Sequence, residues 1–334
     1  MMKKIAIIGI GGRTGAMFAH ELKANNSIFG VGMEKEIEGI KKGNLLLKIS
    51  KNPPEVFEAE MIKDSEFKNN PIPDAIFLCT KNPIAPVIKY YYQIVKERGE
   101  KIPALFISQN GVVASGEAKT ALKEIFGEDA EKIQVVRINL FNSVGREVVD
   151  EKIYLSYSLP IRLVFGPVSG VFEQGEVKSI FSKTGIEVEE FSSKNVKNME
   201  FSKLFLNLIG MASASHGLSV EQGFQDLKVF EEEVGMMREY IKVVRAEGGS
   251  FLNFSHYPVK LMASLFEFIP MGFLSIFRKQ LGGVIEKGRK GKKKDLDEIE
   301  YYNGIVVDLG RKNKVSTIIN QKIIEKVLNK NNTK

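Results

Sequence analysis

The chain opens on an apolar, isoleucine-rich run at residues 4–9; glycines follow, and then Ala16, Met17, Ala19 and Leu22 return at helical spacing. This pattern predicts a strand, a tight turn and a helix. Short apolar runs at 27–32, 75–80, 104–108 and 133–140 have the length of buried parallel strands, and the breakers Pro71 and Pro73 precede the second of them. Helical patterns fall at 87–96, ended by Gly99, and at 117–126. Strands alternating with helices predict a parallel sheet covered on both faces. Past Phe191 the texture changes: proline is absent until Pro258, and long helical patterns at 196–215, 224–246 and 296–312 predict helices packed on one another. The expected architecture is α/β, a Rossmann-type doubly wound parallel sheet over 1–191 followed by an all-helical C-terminal domain over 192–334. A length of 334 residues suits two domains better than one core. The polar tail 329–334 is expected to fray.

Charge changes this picture little. The formal net charge is +7, but Lys287, Arg289, Lys290, Lys292, Lys293 and Lys294 form one short run, and removing those six leaves +1. The rest of the molecule is nearly neutral, and a local run is weaker evidence for a nucleic-acid partner than a basic face would be, so none is expected. Gly288 and Gly291 interrupt the run, which reads as a solvated loop able to draw anions in by long-range attraction. Cys79 is the only cysteine, which excludes an internal disulfide, and His20, His216 and His256 show no metal-ligand spacing with it. Cys79 itself reads as a small buried strand residue. The apolar N-terminal run is too short for a signal peptide, and the most apolar segment, 261–277, carries Glu267 and Pro270 and falls short of a bilayer span. Cytoplasm is the expected compartment. The stretch 266–277 suits a homodimer interface as well as it suits a core helix.

The sequence IAIIGIGGRTGAMFAHEL places Gly9, Gly11, Gly12 and Gly15 in the turn between the first strand and the first helix, with Arg13 and Thr14 among them. Glycines there permit sharp backbone angles and close approach of a pyrophosphate, whose charge meets backbone N–H groups at the helix N-terminus. Thr14 stands where the third glycine of the usual spacing belongs, and Gly15 follows one residue later. At the end of the second strand, where a dinucleotide's ribose is read, stand Glu34 and Lys35. An acid there accepts from the ribose hydroxyls of NAD, whereas Lys35 and Arg13 would pair with the extra phosphate of NADP, so the choice stays open.

Four further blocks, in order along nearly the whole chain, carry a family resemblance. FLCTKN puts Lys81 just after a strand, SQNGV puts Asn110 in a QNG turn, MEFSKLFLNLIG carries Lys203 and Asn207 four residues apart, and DEIEYYNGIVVDLGRK holds Glu298, Asn303 and Gly304. With the glycine turn, these make the chain resemble the ketopantoate reductase (2-dehydropantoate 2-reductase) family. The resemblance implies an N-terminal Rossmann domain, a helical C-terminal domain, and reduction of 2-dehydropantoate to pantoate with NADPH, toward pantothenate and coenzyme A. It assigns catalysis to Lys203 and Glu298, substrate binding to Asn207 and Asn110, and cofactor contacts to Gly9, Gly11, Gly12, Arg13, Thr14, Gly15, Lys81 and Asn110, with Glu34 and Lys35 at the ribose. NADH is the alternative that Glu34 raises. No metal is implied. Two positions depart from the family: Met211 stands where a second asparagine is common, and the basic stretch 287–294 lacks a serine that binds substrate. A reductase of another 2-oxo acid, or a protein that senses NAD(P) without turnover, are the alternatives.

The residues suit ketone reduction on chemical grounds. A lysine ammonium stabilises charge developing on the carbonyl oxygen and then donates the proton, and the apolar surroundings of Lys203, among Phe201, Leu204, Phe205, Leu206 and Leu208, favour its neutral form. Asn207 projects from the same helix face. Read alone, each has a plainer role: Lys203 carrying its amine to water, Glu298 in a charged helix start with Asp295, Asp297 and Glu300, and Asn110 in a tight turn.

Overall fold

A computed structural model describes residues 2–173, 175–286 and 294–331. The chain divides into two compact units, Met1–Gln109 with Val113–Val196, and Asn110–Val112 with Lys197–Lys334. The break after Val196 falls a few residues later than the change of texture suggests, because Ile186–Glu190 is still a strand and the helix Val196–Leu208 begins only beyond it.

Twelve strands build the first unit: β1 (Lys4–Ile8), β2 (Ser27–Gly32), β3 (Leu45–Ile49), β4 (Glu55–Val56), β5 (Glu60–Lys63), β6 (Ala75–Leu78), β7 (Ala104–Ile107), β8 (Val135–Leu140), β9 (Gly145–Val149), β10 (Lys152–Tyr157), β11 (Ile161–Ser169) and β12 (Ile186–Glu190). Eight of them form one sheet in the order β5-β2-β1-β6-β7-β8-β11-β12. The first six are parallel, and β11 turns antiparallel against β8. Counting only the parallel strands, the order reverses on either side of β1, so the carboxyl ends of β1 and β6 flank the topological switch point.

Burial on both faces explains the continuous apolar runs. Ile5, Ile7, Phe77 and Phe106 point to one face, where the helix Arg13–Leu22 packs Ala16, Met17, Phe18 and Leu22 against them. Ala6, Ile8, Ile76, Leu78, Leu105 and Ile107 point to the other, under the helices Ala85–Arg98 and Ala114–Phe126. Phe77 stacks on Phe106 at 4.4 Å between ring centres. The remaining strands form a small sheet, β4-β3-β10-β9, whose Leu45, Leu47, Leu155 and Tyr157 join the first of these cores.

The second unit is helical, as expected, around the twenty-residue helix Leu227–Ala246. Its buried stripe includes Phe230, Val234, Met237, Tyr240, Ile241 and Val244, and Asp226 starts it by accepting from the N–H groups of Lys228 and Val229. The expected long helix at 196–215 is two: Gly210, with φ of +91°, separates Val196–Leu208 from Met211–Ser215. In the expected helix at 296–312, a π-helical turn at Glu300–Gly304 precedes Ile305–Lys312. The stretch 266–277 serves partly as core and partly as surface: Phe266 and Leu274 are buried, whereas Phe268, Phe273, Ile276 and Phe277 are exposed. The helix Ile318–Asn331 carries regular structure into the tail that the sequence leaves frayed. No described helix is long and apolar enough to cross a membrane. Of the basic run, Lys287, Arg289, Lys290, Lys292 and Lys293 lie outside the described residues.

Candidate active site

The glycine turn follows β1 directly. Gly9 adopts φ of +86°, and a side chain on it would press to 3.2 Å on the backbone of Cys79 and Thr80 beyond β6. Gly12 is the N-cap of the helix Arg13–Leu22, and no side chain caps that end. The third glycine's part belongs to Gly15: a Cβ there would stand 2.1 Å from the carbonyl oxygen of Gly9, so only glycine lets helix and strand approach this closely. Thr14 therefore costs the motif nothing, since the constraint falls one residue later. Beside the turn, Thr80 Oγ1 is buried without a hydrogen-bond partner among the described residues. Lys81 follows on the surface.

Of the two residues expected at the ribose, Lys35 is exposed, and Glu34 is 62% exposed and ion-paired with Lys63 of β5. The acid that lies against the glycine turn is Glu36. Cys79 stands just beyond β6, and burial pushes its thiol up to about 12, the weak contact with Ser108 opposing only slightly. It is no nucleophile near neutral pH.

The second unit gathers the other expected residues. Asn110 donates from Nδ2 to Glu298 Oε2 at 2.9 Å, and Asn207 Nδ2 donates to Asn110 Oδ1 at 3.4 Å. Tyr302, one turn beyond Glu298, donates its hydroxyl to the same Oε2 at 2.8 Å. Two donors thus converge on one carboxylate oxygen, while Oε1 has no partner among the described residues. Gly111 makes the turn at φ of +95°, where a side chain would meet the carbonyl oxygen of Tyr301 at 3.1 Å.

Lys203 is half-buried, one turn before Asn207 on the helix Val196–Leu208. That helix is held firmly. Tyr240 donates to the Phe201 carbonyl at 2.7 Å, Ser202 accepts from Leu252 N at 2.7 Å, and Phe205 meets the rings of Phe251 and Phe266. Its end is fixed by the fully buried Glu233, which accepts from the N–H groups of Gly210 and Ser213. Because Gly210 interrupts the helix, Met211 does not continue the face of Lys203 and Asn207, and it is fully buried.

Sequence reasoning missed Tyr302, Lys294 and Glu36. Tyr302 was within reach of it, being four residues after Glu298. Lys294 was grouped with the solvated basic run, yet it is half-buried, donates to the Ile209 carbonyl at 3.1 Å and stands 5.7 Å from the centre of the Tyr302 ring. Asn303, of the hallmark NG pair, is a packing residue: it is buried and donates to Asn320 Oδ1 at 2.9 Å.

This architecture is the ketopantoate reductase fold. Solved structures share it along nearly the whole chain. A PanE/ApbA-family ketopantoate reductase from Ralstonia eutropha JMP134 superposes with a TM-score of 0.67 at 20% identity, covering 97% of each chain. The 2-dehydropantoate 2-reductase of Methylococcus capsulatus gives 0.67 at 16% identity over 99% of this chain and 98% of that one. D-mandelate dehydrogenase, solved with NADH and anilino(oxo)acetate, gives 0.70 at 16% identity, again over 99% and 98%. By sequence, no protein-family profile and no curated protein matches the chain.

Proposed function

We propose that this protein is an NAD(P)H-dependent reductase of 2-oxo acids, with 2-dehydropantoate as substrate and pantoate as product. The carboxylate of Glu298 carries this reading: Asn110 and Tyr302 hold one oxygen, and the other has no partner among the described residues, in the same unit as Lys203 and Asn207. A purely structural glutamate would have no reason to be so oriented by two neutral donors with an oxygen left over.

The glycine turn fits a dinucleotide, since Gly9 and Gly15 keep the cradle free of Cβ atoms, the helix end is uncapped, and Thr80 Oγ1 lies buried beside it without a hydrogen-bond partner among the described residues. Gly9, Gly11, Gly12, Arg13, Thr14, Gly15 and Lys81 are the residues of the first unit that would hold it. When bound, the reduced nicotinamide supplies a hydride to the oxo carbon. Lys203 holds the developing negative charge on the oxygen and delivers the proton. Glu298 Oε1 accepts from a substrate hydroxyl, and Asn207 and Asn110 fix the substrate's orientation through their amides.

A second reading, reduction of a different 2-oxo acid, is favoured by Met211, which is buried behind Gly210 and offers no amide to the substrate. Following NADPH and NADH oxidation at 340 nm with 2-dehydropantoate and a panel of 2-oxo acids decides between them. Turnover selective for 2-dehydropantoate is the expected result. Turnover confined to another oxo acid supports the second reading, and cofactor binding without any turnover supports a sensor.

A further inference from the structure

Two acids follow β2 within three residues of each other, and the fold treats them differently. Glu34, at the first position of the helix Glu34–Lys41, is drawn to the sheet edge by its ion pair with Lys63. Glu36 folds back over the end of the sheet. A Cβ on Gly11 would lie 3.1 Å from Glu36 Cδ and 3.2 Å from its Oε2, and a Cβ on Gly32 would lie 3.3 Å from the same Oε2. The carboxylate therefore rests directly on the two glycines, one in the phosphate-cradling turn and one closing β2. Glu36 is half-buried, and its side chain makes no hydrogen bond or ion pair with any described residue.

A half-buried carboxylate without donors is costly unless something supplies them. Its place in the first turn of its own helix offsets part of that cost through the dipole, but provides no donor for either oxygen. Side by side, the two oxygens match a pair of adjacent hydroxyls, and the end of the second strand is where a dinucleotide's adenosine ribose is read. A 2′-phosphate carries roughly 1.5 to 2 negative charges at neutral pH, and here it would stand against a carboxylate that no cation among the described residues pairs with.

We infer that Glu36, rather than Glu34, reads the adenosine ribose by accepting from its 2′- and 3′-hydroxyls, and that this makes the protein select NADH over the NADPH that its family resemblance implies. The inference rests on the proposed use of a nicotinamide dinucleotide.

Calorimetric titration of the full chain with NADH and with NADPH, alongside kcat/KM for each, tests it in the native protein and in the Glu36→Gln, Glu36→Ala and Glu34→Gln variants. The native protein should favour NADH by roughly tenfold or more, and both Glu36 variants should lose that preference by a similar factor, chiefly through NADPH binding better. Glutamine keeps the size of the side chain and the helix intact, so a change of preference there reports charge and not folding. A native preference for NADPH, an unchanged ratio in Glu36→Gln, or an equal or larger shift in Glu34→Gln overturns the assignment to Glu36 while leaving dinucleotide use standing. A native protein that binds neither nucleotide overturns both.

Discussion

Glu298 stands among Asp295, Asp297 and Glu300, and pattern alone assigns all four to a solvated helix start. Only Glu298 receives both the Asn110 amide and the Tyr302 hydroxyl, while its three acidic companions are exposed. Its spacing to Tyr302 is legible in the chain, but its partnership with Asn110, 188 residues away, is not. Lys203 has the same history, since a lysine on a largely apolar helix is ordinary until Asn207 and Glu298 are found in the same unit. At this scale the proposed chemistry is testable directly. Lys203→Ala is expected to lower kcat by about 10²–10⁴-fold, the usual worth of a positioned proton donor, with cofactor affinity by calorimetry close to native. Undiminished turnover would falsify the role given to the lysine.

Among the elements, those with a strong local signature were legible: the buried parallel strands as apolar runs, the first turn as glycines, the long helices by period. The small sheet was not. β9 is largely exposed, β4 has two residues, and β3 is apolar at four of its five positions, so none shows in its sequence the apolar–polar alternation that marks a strand by itself. The break at Gly210 was equally hidden, because a single glycine in a helical pattern does not announce a left-handed turn capped by a distant glutamate.

Two predictions belong to this scale. Gly15→Ala places a methyl 2.1 Å from the Gly9 carbonyl, so helix and strand must part. Urea unfolding should show a loss of about 1–3 kcal/mol, and dinucleotide titration a weaker binding than in the native chain. The second concerns Glu247, which follows the helix Leu227–Ala246. Its carboxylate, 7% exposed, accepts from Lys312, Asn313 and Lys197, and these bonds, that of Lys312 foremost, bring its pKa down to about 2 from an ordinary 4.5. The folded value lies below the unfolded one, so the stabilisation is complete above about pH 4.5 and disappears as the pH falls through 2. Both lysines are largely exposed, which limits the effect to on the order of 1 kcal/mol. Glu247→Gln should therefore be less stable than the native chain in urea at pH 7, with the gap narrowing between pH 4.5 and pH 2. A gap independent of pH would assign the loss to packing.

On the scale of the whole molecule, the first unit packs a core on each face of its large sheet, and the glycine turn belongs to that unit alone. A dinucleotide bound there adds about 2.7 kcal/mol of stability at a hundred times its Kd, or roughly 5–10 °C in the melting temperature of a unit this size. Differential scanning calorimetry with the preferred nucleotide should show that rise in the transition of the first unit. A thermogram unmoved by saturating nucleotide would mean that the cradle holds no dinucleotide.

The chain's own periodicity determined the order of strand, turn and helix and the change to an all-helical second part, because burial on two faces and a glycine's backbone freedom are properties of a few adjacent residues. Tertiary structure alone decided that Glu36 and not Glu34 lies on the glycine turn, that Asn110 joins Glu298, and that Met211 turns into the core. Each of these depends on the phase of a helix or the path of a loop, and contacts with residues far along the chain set both.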